Sequence, residues 1–173
     1  MVVVVYVMMN ARRFWPTPNI TSSTSPNCST QPSFVGEVGM EREGENGLAV
    51  WFSLEDNGNN DTCTSGFVDI RIVGGIEDLE TGQILYPSLT PIYSTSWQLR
   101  PTDFATWKFT NSLTGASSAK LIWHSRRIPY EDLRLAPGMA PGYVAGQAEV
   151  VVRPDDGGPQ LTGKSHEPLY FYK

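Results

Sequence analysis

Gly66-Phe67-Val68-Asp69-Ile70-Arg71-Ile72-Val73 is the stretch that decides the fold. Val68, Ile70 and Ile72 are apolar, and Asp69 and Arg71 between them are charged. That period of two belongs to a β-strand with one buried face, not to a helix. Similar short apolar runs occupy residues 47–54, 83–86, 91–99, 104–109, 119–124, 143–152 and 169–172. Turn chemistry separates them: Asn57-Gly58, Gly74-Gly75, Thr114-Gly115 and Asp156-Gly157-Gly158 each offer a position suited to positive φ. Helical turns are expected only at 76–80 and 130–134. Many short strands with such spacing predict an all-β fold. We expect a two-sheet β-sandwich with jelly-roll or Greek-key connections and an extended N-terminal arm.

Composition agrees. Gly and Pro supply 16 and 13 of the 173 residues, about one residue in six against a usual one in eight. That density of helix breakers leaves little room for long helices. The length suits about one domain, large enough to bury roughly 70% of its unfolded surface. The formal charge of −5, with no basic tail, argues against duplex nucleic acid as the main partner. No internal repeat suggests a propeller or solenoid.

Residues 1–9 read Met-Val-Val-Val-Val-Tyr-Val-Met-Met. This run is far shorter than the ~18 apolar residues of a membrane span, and it lacks the basic start of a secretory leader. It reads as a β-strand needing cover on both faces. Residues 10–33 form a Ser/Thr/Pro/Asn tract in which Pro16, Pro18, Pro26 and Pro32 favour extended backbone. The expected division is therefore an arm at 1–33 and a sandwich at 34–173. A polar tract orders only against a surface, its own body or a neighbouring subunit. Phe14 and Trp15 within it are the candidate anchors for a partner.

Two cysteines, Cys28 and Cys63, allow one bridge or two free thiols, and carry no metal-site spacing. Trp51 lies between them, which invites comparison with the immunoglobulin pattern. It follows Cys28 by 23 residues, however, and the cysteines are only 35 apart. That spacing does not fit. The acceptor pattern Asn-x-Ser/Thr starts at Asn19, Asn27 and Asn60, all in polar stretches where glycans can sit. Together these features favour an extracellular or virion-surface setting.

The most oxygen-rich local cluster is Glu55, Asp56, Asn57, Asn59, Asn60 and Asp61 around Gly58. Calcium takes six to eight oxygen ligands, so Glu55, Asp56, Asn57, Asn59 and Asp61 are candidate ligands. The competing reading is a solvated hairpin tip with an Asn-Gly turn. Calcium is the one cofactor considered. Trp97 and Trp107 fall on adjacent candidate strands and suggest a sugar-stacking platform, against the commoner role of tryptophan in a core. His124 and His166 come with no nucleophile motif. Glu37, Glu41, Glu43 and Glu45 supply carboxylates, yet residues 41–45 read as an exposed mixed-charge loop. Arg126, Arg127 and Arg134 read as surface ion-pairing groups beside Glu131 and Asp132. No phosphate loop or dinucleotide fingerprint is present.

These features predict a non-enzymatic structural or attachment module, of the capsid or protruding-domain type, that acts through protein–protein assembly with other copies or a larger assembly. The alternative is a secreted carbohydrate-binding sandwich, with or without calcium. The destination of the arm separates them. An arm crossing to another subunit favours assembly, and an arm folded back favours a binding module.

Overall fold

The computed structural model describes residue 28 and residues 31–77, 84–85, 91–111, 113–134 and 143–172. They form β1 (Phe34–Arg42), β2 (Gly47–Asp56), β3 (Asn59–Thr62), β4 (Gly66–Glu77), β5 (Ile84–Leu85), β6 (Tyr93–Leu99), β7 (Phe104–Thr110), β8 (Ser117–His124), β9 (Ile128–Pro129), β10 (Tyr143–Pro154), β11 (Leu161–Lys164) and β12 (Leu169–Tyr172). Helical structure among the described residues is limited to single 3-10 turns at Pro101–Asp103 and Tyr130–Asp132.

The alternation of β4 sets the inner wall of one sheet. Val68, Ile70 and Ile72 are fully buried, and their strand partners on β10 are Val152, Val150 and Ala148, also fully buried. The facing wall comes from Leu48, Val50, Phe52 and Leu54 of β2 with Leu121 and Trp123 of β8. Each such aliphatic or aromatic side chain taken out of water contributes about 1.5–3 kcal/mol. Two sheets result because each has one apolar face that only the other can cover.

One sheet runs β1-β2-β8-β7, with β3 and β9 also paired to β2. The other runs β11-β10-β4, with β12 on β10 and with β6 and β5 on β4. All pairings are antiparallel. The chain changes sheets between β3 and β4, between β6 and β7, and between β9 and β10. The order β1-β2-β8-β7 against β11-β10-β4-β6 is the A-B-E-D against G-F-C-C′ order of immunoglobulin-type sandwiches. Connections are thus of the Greek-key kind. The disulfide is not the one such domains place between B and F: it joins Cys28, ahead of β1, to Cys63, between β3 and β4, with Cα atoms 5.4 Å apart. The spacing argument against an ordinary immunoglobulin cysteine frame therefore stands, while the strand order coincides.

Several local expectations change. Gly74-Gly75 is not a turn: β4 continues through it, opposite Gly146 and Ala145 of β10. Ile76 and Glu77 end β4 as strand, so the helical turn expected at 76–80 does not begin there; 78–80 lie outside the described residues. The turn at 130–134 is present as Tyr130–Asp132. Glu41 and Arg42 belong to β1, because their pairing with Ala49 and Leu48 outweighs their charge. The loop proper is Glu43 to Asn46, closed by the Glu43 N–H donating to the Gly47 carbonyl at 3.0 Å. Asn57-Gly58 is a two-residue hairpin turn with Gly58 at φ 104°.

The N-terminal strand expected at 1–9 lies outside the described residues, as does the arm except for Cys28 and 31–33. Those few residues lie on the chain's own body. The Gln31 side-chain amide donates to Asp156. The Ser33 N–H donates to the Glu55 carbonyl at 2.8 Å, and its hydroxyl to Asp56 at 2.6 Å. Pairing with β2 thus begins just before β1. Closing a loop of this length with a disulfide contributes roughly 2–4 kcal/mol. Urea unfolding of a Cys28→Ser/Cys63→Ser double variant should show a loss of that size, matched by reducing the wild-type chain. Identical midpoints for oxidised and reduced protein would refute the bridge.

Candidate functional site

The outer faces of the two sheets differ in kind. Outward from β4, β10 and β11 stands a ladder of exposed ion pairs. Arg153 meets Asp69 at 2.8 Å, Lys164 meets Glu149 at 2.7 Å, and Arg71 meets Glu149 at 3.8 Å. The Arg153 guanidinium also lies 5.9 Å from the centre of the Phe67 ring. Such pairs contribute little to stability, and this is a solvated face.

The outer face of β1-β2-β8-β7 is half apolar. With the even residues of β2 filling the core, Ala49, Trp51, Ser53 and Glu55 point outward. Ala49, Ser53 and Ile122 are nevertheless fully buried there. Larger side chains on the same face surround them. The Trp51 ring lies over Gly39 of β1, where an added Cβ would come within 2.3 Å of the indole. Trp51 in turn packs on Trp107 at 5.9 Å, and Trp107 on His124 at 6.0 Å. Trp107 is only 6% exposed, so Trp51 is the less covered ring of this row.

Two ionic straps cross this face from β1 to β8. Lys120 is bonded to Glu37 at 3.1 Å and to Glu55 at 3.2 Å. Its side chain is only 17% exposed. Burial opposes the ammonium charge, but the two carboxylates outweigh it and hold its pKa above the usual lysine value. The Ser53 hydroxyl ties the strap to the backbone, accepting from the Glu37 N–H at 2.9 Å and donating to Glu55 at 3.3 Å. In the second strap His124 Nε2 lies 2.7 Å from Glu41 Oε1, and Nδ1 lies 2.8 Å from the Ser125 carbonyl oxygen. The bond to Glu41 raises the His124 pKa, burial works against it, and the Ser125 carbonyl adds to the rise.

A half-open cleft of about 560 Å³ lies elsewhere, lined by Pro91 to Ser94 with Glu131, Asp132 and Arg134. Burial raises the Tyr93 hydroxyl pKa in this cleft, and the Asp132 carboxylate adds to it. The lining carries both signs of charge.

The residues singled out from sequence are only partly brought together. Trp97 and Trp107 sit in different sheets and form no platform. Trp97 faces inward against Trp123 at 5.8 Å and Tyr93 at 6.4 Å, while Trp107 faces outward. The pair that does form, Trp51 with Trp107, was legible in one respect: Trp51 is out of step with Leu48, Val50, Phe52 and Leu54. Glu55 and Asp56 are consecutive strand residues, so they leave opposite faces. Glu55 takes Lys120 and Asp56 takes the Ser33 hydroxyl. Asn57 forms the turn, Asn59 and Asn60 lie on β3, and Asp61 is exposed there. Among the described residues no group of three or more His, Cys, Asp or Glu is placed to hold a metal ion. His166 is exposed between β11 and β12. The Arg127 Nε–H donates to the Glu43 carbonyl at 3.2 Å, not to Glu131 or Asp132. Phe14, Trp15, Asn19 and Asn27 lie outside the described residues.

In comparisons with protein-family models, curated proteins and solved structures, no family, relative or structural neighbour matches the chain.

Two outcomes follow from this geometry. Gly39→Ala should displace the Trp51 ring, cost about 1–3 kcal/mol in urea unfolding and shift tryptophan emission; overpacking in a tight site has that magnitude. Titration with Ca²⁺ should leave the melting temperature unchanged, because Glu55 and Asp56 diverge. A rise that grows with Ca²⁺ concentration would support the calcium reading of Glu55, Asp56, Asn57, Asn59 and Asp61.

Proposed function

We propose that the chain is a non-catalytic attachment module of an extracellular or virion surface, working through protein–protein contact. The observation that supports the extracellular setting most is the Cys28–Cys63 bridge. Cys28 is bridged to Cys63, and Gln31 and Ser33 bond Asp156 and Asp56. Disulfides persist in oxidising settings such as secreted proteins and virion surfaces. The Gln31 and Ser33 contacts lie on the chain's own body, and on the arm criterion they favour the second reading below; the bridge supports the setting. The occupied ring nitrogens of His124 also favour a structural role for that histidine over one as a general base.

A secreted carbohydrate-binding sandwich is the second reading. It rests on Trp51, whose partly open ring is flanked on β1 by Glu37 and Glu41. An aromatic face beside hydrogen-bonding groups suits sugar stacking.

Light scattering of the oxidised full chain over a concentration series distinguishes them. Concentration-dependent association, lost on reduction, is the expected result. A strict monomer at high concentration, together with binding on a glycan array that Trp51→Ala abolishes, would replace attachment by carbohydrate recognition.

A further inference from the structure

Both ring nitrogens of His124 face acceptors. Nδ1 points at the Ser125 carbonyl oxygen, 2.8 Å away, and Nε2 at Glu41 Oε1, 2.7 Å away. A backbone carbonyl only accepts, so this contact is a hydrogen bond only when Nδ1 carries a hydrogen. An ionised carboxylate also only accepts, so the contact at Nε2 needs a second proton between nitrogen and oxygen. The neutral ring has one hydrogen for these two acceptors, so it loses one contact; with the hydrogen on Nδ1, the Nε2 lone pair confronts a carboxylate oxygen at hydrogen-bonding distance and that contact becomes repulsive.

The contact spans three strands. Glu41 is on β1, His124 is on β8, and β2 lies between them, with Trp51 opposite His124. Here β1 is an edge strand, and its ladder to β2 shifts register between Val35 and Val38. The groups facing the imidazole come from every neighbouring element. Glu41 and Glu43, on and just after β1, are the nearby carboxylates. Trp51 of β2 and Trp107 of β7 are uncharged. Lys120 of β8 is engaged by Glu37 and Glu55, and Arg127 by the Glu43 carbonyl.

We infer that Glu41 and His124 form a proton-dependent latch that fastens the edge strand β1 across β2 to β8, closed in acid and released toward alkaline pH. The sign follows from linkage. The folded ring holds its proton above the ordinary value of 6.5. Its contribution is therefore complete below about pH 6.5 and is lost as pH rises through the folded value. The tightest hold on β1 falls in mildly acidic solution.

Two measurements on the full oxidised chain test this: the ring titration of His124 by NMR, and amide exchange protection along Phe34–Arg42. The His124 midpoint should lie above 6.5 and fall in Glu41→Gln. Each unit of that fall corresponds to about a tenfold weaker contact. Protection of β1 amides should drop as pH crosses the midpoint, while amides of Gly66–Glu77 in the other sheet keep theirs. Both Glu41→Gln and His124→Gln should remove the pH dependence from β1. Protection of β1 that does not change with pH in the wild-type chain overturns the latch, as does an unchanged pH profile in His124→Gln.

Discussion

The ring of Trp123 is where the two sheets meet. It packs on Phe52 of its own sheet at 5.3 Å and on Trp97 of the opposite sheet at 5.8 Å. Phe104, the first residue of β7, is its strand partner. This joint lies where the chain has just passed from β6 to β7, so it secures the crossing as well as the core. It also governs the outside. Successive side chains of a strand leave opposite faces. Placing Trp123 and Phe52 inward therefore commits Ile122, His124 and Trp51 to the outer face. A one-residue slip of β8 would exchange the two sets.

That commitment explains why the outer faces are so unlike. Over β4 and β10 the outward residues include Asp69, Arg71, Glu149 and Arg153, which pair across strands and leave a surface that water can cover. Over β2, β8 and β7 they include Ala49, Ile122, Trp51 and Trp107, and the face needs a lid. Trp51 lying on Gly39, and the straps through Lys120 and His124, supply part of it. The same straps tie the edge strand β1 to β8. An unpaired edge is where sheets recruit unwanted partners, and a β1 held both by its ladder and across the neighbouring strand is less free to open.

Much of the strand plan was readable in the chain. The alternation in β4, the run in β2 and the long apolar stretch of β10 each carry the period that burial on a pleated surface demands. The strands missed were β1, β3, β9 and β11. β1 carries two glutamates, Glu37 and Glu41, in edge positions, where charge is compatible with a ladder on one side and water on the other. β3, β9 and β11 are too short for a period to show. Gly74-Gly75 read as a turn because two glycines together usually are one; here they pass along β10 opposite Gly146 and Ala145.

The outer site was legible as residue types and not as an arrangement. Histidine, glutamate and tryptophan could be named, but Glu41 and His124 are 83 positions apart, and no local rule joins them. Trp97 and Trp107 are near in sequence and end up in different sheets, because the turn at Pro101–Asp103 carries the chain across the sandwich between them. The sequence by itself determined that this protein is built of strands, since periodicity and turn chemistry are local properties that each segment carries. The pairing of Cys28 with Cys63, the inner or outer assignment of each tryptophan and the meeting of Glu41 with His124 were decided only by the tertiary structure. They depend on strand order and register, which come from burying two apolar faces against each other over long separations in the chain.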